Sequence, residues 1–458
     1  MPPVPEVIAP VDVVAYVLAG VAIILIAARI VGTIFEKIGQ PRIVGEIVAG
    51  ILIGPTIIGG QLAKAPLPGK PGVDGSGAVN DLFPIQSFAF LNLLGTIALV
   101  FYMFLVGMEL DKRLLKGRGT QMLTMALAVT AIPVALGFLC GALLDSATWK
   151  PAGIDSTTFA LFLGAGLSVT AFPVMARILQ EKGMLGSQLG AIGVGSAAIV
   201  TVLMFLVIAA ASASAKGAGI VDSVGNKFVL LIGLIAVLLL IARPLMGFVV
   251  NTFQKDKPID GNLIALVLIG ALATGLATDR ILGAALVGGF LFGVAVPDKE
   301  GFAEAVIQKL EPAVILFFLP VFLAVSGLRT DLTLINGDLI GGIALFLTCM
   351  IVGKIGAGYI AGRAVGLSSR DAQAVGVLLN CRGLLILVVA LIGLQLGVIT
   401  PQMQVVFVLG AIVTTMMTGP LIDKILPQSY VKESTANLNV DDIREAQRTA
   451  SGTAVIAG

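Results

Sequence analysis

The 458-residue chain contains no histidine and only three cysteines. Without an imidazole, histidine cannot serve as metal ligand, proton relay or pH sensor. Cys140, Cys349 and Cys381 all fall in apolar stretches, so no disulfide framework is implied. Charge is scarce as well. Charged residues make up 12% of the chain and hydrophobic ones 57%, with a mean hydropathy of +1.03, which excludes a soluble domain. The net charge of +2 gives no reason to expect a nucleic-acid partner. No nucleophile–base pair, phosphate-binding loop or metal-ligand cluster stands out, so neither an enzyme nor a metal or cofactor is expected. The opening MPPVPEVIAP lacks the basic segment of a secretory signal peptide.

What the chain has in abundance is apolar length and glycine. Its 56 glycines suit the close helix packing of a polytopic, all-α membrane protein. Runs of about twenty apolar residues mark roughly thirteen spans. They cover 12–34, 42–59, 87–109, 121–144, 157–180, 188–213, 227–252, 262–278, 281–297, 310–328, 337–362, 373–397 and 402–426. Connections on one side carry fourteen Lys and Arg and those on the other carry seven. The richer side is expected in the cytoplasm, which places the N-terminus outside and the C-terminus inside. Residues 1–426 thus read as one membrane domain, and 427–458 as a short polar cytoplasmic tail without fixed structure.

The span AVGVLLNCRGLLILVVALIGLQLG (374–397) carries Asn380, Arg382 and Gly383 near its middle. A guanidinium at that depth costs several kcal/mol unless something solvates it, and irregular backbone is tolerated there only if buried or lining a cavity. The fifth span, FALFLGAGLSVTAFPVMARIL, is disrupted in the same way, with Ser168, Thr170 and Pro173 in its interior. Both are expected to be broken helices, non-helical at 168–173 and 379–383, facing each other at a transport site. With a rise of about 1.5 Å per residue, Arg382 and Lys354 each lie roughly 5 Å to the cytoplasmic side of their span centres. Pro173 lies about 7 Å to that side, and Thr201 near the centre of the sixth span. These features share one level, which marks Lys354 and Thr201 as candidate site residues. An internal echo accompanies them. FLVGMELD (104–111) and AVSGLRTD (324–331) each place glycine four residues before aspartate, seven spans apart and so on opposite faces. Inverted repeats leave that signature, and their interface holds the substrate site.

Several long stretches carry a resemblance: PRIVGEIVAGILIGP (41–55), FLVGMELD, SVTAFPVMARIL (168–179), LPVFLAVSGLRTDL (319–332) and NCRGLLILVVALIGLQLGVIT (380–400). In that order they resemble the monovalent cation:proton antiporter-2 family, in its bacterial and plant cation/proton exchanger branch. The resemblance implies a sodium/proton antiporter-like fold of thirteen helices, usually homodimeric, in the bacterial plasma membrane. It further implies a scaffold and a moving core, around 121–213 and 337–426, that holds the crossed fifth and twelfth helices. The partners would be Na⁺ or K⁺, the proton and the lipid bilayer.

The departures from that pattern bear on function. Where the family places an Asp-Asp or Asn-Asp pair in the sixth span, this chain has Val200 and Thr201, in GSAAIVTVLMF. Ile386 and Ala284 stand where many members have Glu and His. Thr201 cannot titrate at any accessible pH; Lys354 can, but a lysine binds no cation. Glu46 is the acid nearest to mid-membrane, a possible proton- or ion-binding carboxylate, although it lies one turn from Arg42 as an ordinary helix-start ion pair would. Three readings follow: a monovalent cation:proton antiporter with an altered site, a transporter of organic anions using the Lys354 and Arg382 charges, or a transport-inactive relative.

Overall fold

The computed structural model describes residues 10–54, 85–109, 118–172, 175, 178–179, 184, 187–215, 220–253, 261–297, 302–328, 330–383 and 385–427. Among them every element is helical. In chain order they are α1 (Pro10–Lys37), α2 (Arg42–Ile53), α3 (Ile85–Glu109), α4 (Gly119–Leu143), α5 (Ser156–Ser168), α6 (Gln188–Ala215), α7 (Ile220–Val237), α8 (Arg243–Phe253), α9 (Gly261–Leu282), α10 (Ala285–Ala295), α11 (Phe302–Ala313), α12 (Leu319–Leu328), α13 (Ile340–Ala364), α14 (Ser369–Leu379), α15 (Leu385–Gln395) and α16 (Pro401–Ile425). Each of the thirteen apolar spans meets one of these helices or a broken pair of them, although the end of the second span, from 55 on, lies outside the described residues. Asp111 of the echo, Pro173 and residues 428–458 of the tail lie outside them too.

Two spans carry a feature that their hydropathy does not reveal. Helices α7 and α8 join through a π turn at Leu238–Ala242, and α11 and α12 through one at Val314–Phe318. Each turn ends two residues before a proline, Pro244 and Pro320. Proline has no N–H for the carbonyl four residues back. The backbone there reaches back five residues, with Arg243 donating to Leu238 O and Leu319 to Val314 O.

Glycine decides how closely these helices approach. A Cβ at Gly137 of α4 would lie 2.3 Å from the Cα of Gly164 in α5, so the two backbones meet with no side chain between them. The two glycines of the internal echo make the same kind of contact. A Cβ on Gly107 of α3 would sit 2.3 Å from Phe290 O of α10, and one on Gly327 of α12 would sit 2.4 Å from Ile47 O of α2. Two sets of helices result. Helix α3 packs on α10 and α12, and α2 on α1 and α12, whereas α4, α5, α6, α13 and α14 pack on one another.

Helix α5 starts at a fixed point. The Asp155 side chain caps it, accepting from the amides of Thr157 at 2.8 Å and Thr158 at 3.2 Å. Those amides, Thr158 foremost, hold the Asp155 carboxyl below the usual carboxylate range. Lys150 bridges Asp145 at 2.6 Å just before this cap.

Substitution of Gly137 by alanine is expected to force α4 and α5 apart and lower the thermal midpoint of the detergent-solubilised protein, at a cost of about 1–3 kcal/mol. Alanine at Gly341, where a Cβ meets nothing within 4 Å, is expected to leave the midpoint unchanged. Equal midpoints would show that the close α4–α5 contact is dispensable.

Candidate functional site

Helix α5 stops at Ser168 and the chain is non-helical through Val169–Ala171 before turning helical again at Phe172. Helix α14 stops at Leu379, the chain turns through Asn380–Gly383, and α15 resumes at Leu385. Gly383 has φ +48°, a left-handed conformation that glycine adopts without strain. The first interruption is therefore shorter than the span 168–173 read from sequence, and the second begins one residue later than 379–383. Ser168 and Leu379 complete the last turns of their helices, and Phe172 already belongs to the next one. The two breaks touch through main chain: Ala171 N–H donates to Cys381 O at 2.7 Å, and Thr170 Oγ1 to Leu379 O at 2.8 Å. Thr415 of α16 accepts from the Gly383 amide at 3.1 Å.

Ending a helix leaves its last carbonyls without partners, and its carboxyl end carries partial negative charge. At α5 two cations fill that role. Arg382 Nη1 donates to Gly166 O at 2.7 Å and to Val169 O at 3.3 Å, while its Nη2 donates to Met350 O of α13 at 2.9 Å. Lys354 Nζ donates to Ser168 O and, at 2.9 Å, to Val129 O of α4. Another carbonyl of that turn, Ala165 O, takes the Ser168 hydroxyl at 2.8 Å. Lys354 and Arg382 are both 0% exposed, and among the described residues no carboxylate pairs with either. Two buried atoms at the crossing have no hydrogen-bond partner: Asn380 Oδ1, an acceptor, and Arg382 Nε, a donor.

The candidates read from sequence are placed as follows. Ser168, Thr170, Lys354, Asn380 and Arg382 meet at the crossing, all buried. Pro173 lies outside the described residues. Thr201 is buried in α6, which packs on α5 and α14, but its hydroxyl donates to Ala197 O of its own helix at 3.0 Å. Glu46 is buried in α2 and binds Arg42 at 3.0 Å, so no hydrogen bond carries it into the crossing. Its neighbour Ile43 does reach there, packing on Ala171 and Cys381. Val200 and Ile386 are wholly buried, and Ala284 nearly so. Reading side chains could not find Val129, Gly166 and Met350, because they contribute only carbonyl oxygens that every residue possesses.

The sodium/hydrogen exchanger transmembrane family model matches residues 21–426. The chain belongs to that family. It is 33% identical over 419 residues to the Na(+)/H(+) antiporter NhaS4 of Synechocystis, covering 90% of this chain and 97% of that protein. It is 29% identical to the K(+)/H(+) antiporter 1 of Saccharomyces cerevisiae over 433 residues, 92% of this chain, and spans 48% of that longer protein. The solved structure of the sodium proton antiporter MjNhaP1 from Methanocaldococcus jannaschii superposes with a TM-score of 0.65 at 15% identity. That match covers 92% of this exchanger-family chain and 98% of the other, and it speaks for the fold. The chain is thus an integral membrane protein of antiporter fold, with two broken helices crossing inside it.

Replacing Arg382 with alanine is expected to leave the Gly166, Val169 and Met350 carbonyls dry and to destabilise the solubilised protein by on the order of 3 kcal/mol or more. Arg382→Lys keeps the charge but loses the planar fork that spans α5 and α13, so it should fall between. Denaturation midpoints in the order native, lysine, alanine check this; equal midpoints would show that the guanidinium does not hold the crossing.

Proposed function

We propose that the protein is a secondary transporter that exchanges a monovalent cation, Na⁺ or K⁺, for a proton by alternating access at the crossing of α5 with α14 and α15. The observation that carries this reading is the seat of Lys354 on two main-chain oxygens, Ser168 O and Val129 O, with no carboxylate paired to it among the described residues. A protonated lysine holds these oxygens with its N–H groups. Once it gives up the proton, the same oxygens, with the unpartnered Asn380 Oδ1 nearby on the crossing, become free acceptors for a dehydrated monovalent cation. Ammonium and cation then compete for one set of ligands. That competition does the work of a titrating carboxylate and moves one charge in each direction.

The family membership and the names of the relatives support Na⁺ or K⁺ as the cargo. The resemblance to cation/proton exchangers supports a homodimer in the bacterial plasma membrane, and the distribution of Lys and Arg supports an outside N-terminus. Helices α4, α5, α6, α13, α14, α15 and α16 would form the moving core, and 427–458 the tail. The organic-anion reading needs Lys354 and Arg382 as free charges facing a substrate. Five hydrogen bonds to backbone oxygens already occupy them, which favours exchange of cations.

Proteoliposomes carrying an internal pH dye test the reading. The native chain is expected to give slow Na⁺- or K⁺-driven proton efflux without charge movement, and Lys354→Arg none. Thr201→Asp is expected to increase the rate about tenfold or more, because a carboxylate on α6, facing α5 and α14, adds the negative charge the crossing lacks. Undiminished exchange by Lys354→Arg would overturn the mechanism, and anion-driven flux by the native chain would replace it.

A further inference from the structure

A second polar place lies outside the crossing. A cavity of about 130 Å³ opens between α3, the α9–α10 turn and α12 on one side and α15 and α16 on the other. It therefore sits on the seam between the two sets of helices, beside the second half of the broken helix. At roughly 30 Å³ per water it holds about four waters, enough for a partly hydrated small ion.

Several polar groups line it. Asp279, an exposed residue at the cavity wall, supplies a carboxylate without a hydrogen bond or ion pair among the described residues. Asn92 and Thr96 of α3, Ser326 of α12, and Gln395 and Gln404 add amides and hydroxyls. Gln404 is only 3% exposed and lines the cavity, and no side-chain hydrogen bond ties its amide to the described residues, which leaves it open to the cavity's water. A buried amide without a partner costs free energy unless water or a ligand in the cavity satisfies it. Apolar residues complete the wall, among them Leu99, Phe322 and Val388.

We propose that this cavity is a cation-capture site on the face opposite the cytoplasm, where the Asp279 carboxylate and the Gln404 amide oxygen hold a monovalent cation before it reaches the crossing. The assignment rests on the exchange reading given above for the nature of the ion. The site supplies what the crossing lacks, a fixed negative charge. It concentrates the ion at the seam, and the neutral oxygens deeper in then need to hold it only weakly. Exchange through such a site is limited by ion capture on one face of the membrane and not on the other.

Two measurements on the full chain test it. In proteoliposomes, Asp279→Asn is expected to raise the apparent KM for Na⁺ or K⁺ about tenfold when the ion is offered on the Asp279 face, with the maximal rate unchanged. Offered on the opposite face, the KM stays as it was; Gln404→Leu shifts it in the same sense by less. In detergent, replacing N-methylglucamine by Na⁺ or K⁺ at constant ionic strength is expected to raise the thermal midpoint of the native chain and not of Asp279→Asn. A KM unmoved by Asp279→Asn, or moved equally from both faces, overturns the site while leaving exchange intact. Asp279-dependent stabilisation in a chain that shows no flux leaves the site standing and removes the exchange reading. No flux and no cation-dependent stabilisation removes both.

Discussion

Two buried cations without carboxylate partners set the terms for this molecule. A guanidinium and an ammonium inside a membrane must be solvated by something, and here it is the carboxyl end of a helix that stops halfway. Breaking α5 frees the carbonyls of Gly166 and Ser168, and Arg382 and Lys354 bind them. Neither half of that arrangement is stable alone: free carbonyls in a dry interior are costly, and bare cations are costlier still. The break, the charges and the close glycine contact of α4 with α5 therefore form one unit, with Val129 of α4 and Met350 of α13 fastening its sides.

That economy changes how exchange chemistry must run. In the family pattern a sixth-helix carboxylate takes cation and proton by turns, and this chain puts Val200 and Thr201 in its place. In the exchange proposed above, competition occurs at oxygens that never titrate, and the titrating group is the ammonium that occupies them. A neutral ligand set binds a cation more weakly than a carboxylate does, because no formal charge offsets the dehydration. Fixed negative charge at the seam, from Asp279, then matters more than it would in an acid-bearing relative.

Much of the fold was legible in the sequence, and for simple reasons. Hydropathy finds spans because the bilayer demands twenty apolar residues at a time. Asn380, Arg382 and Gly383 gave away the break of the twelfth span because each opposes a continuous apolar helix. The echo around Gly107 and Gly327 pointed to repeats, and both glycines turn out to make equivalent close contacts. Less legible were the partners of Lys354 and Arg382, since a carbonyl has no residue signature. The π turns escaped because hydropathy is blind to a one-residue change in helical register. Gln404 and Asp279 escaped because they lie far apart in sequence and meet only when α9 and α16 pack around one cavity.

The central claim is that a proton on Lys354 and a monovalent cation exclude each other from the same carbonyl oxygens. Proton release on cation binding measures this without any transport. Purified protein in weakly buffered detergent, mixed with Na⁺ or K⁺ at constant ionic strength and watched with a pH indicator, should release one proton for each cation bound. Lys354→Arg, whose guanidinium keeps its proton, should release none. Cation binding without proton release, or release that persists in Lys354→Arg, would contradict the account.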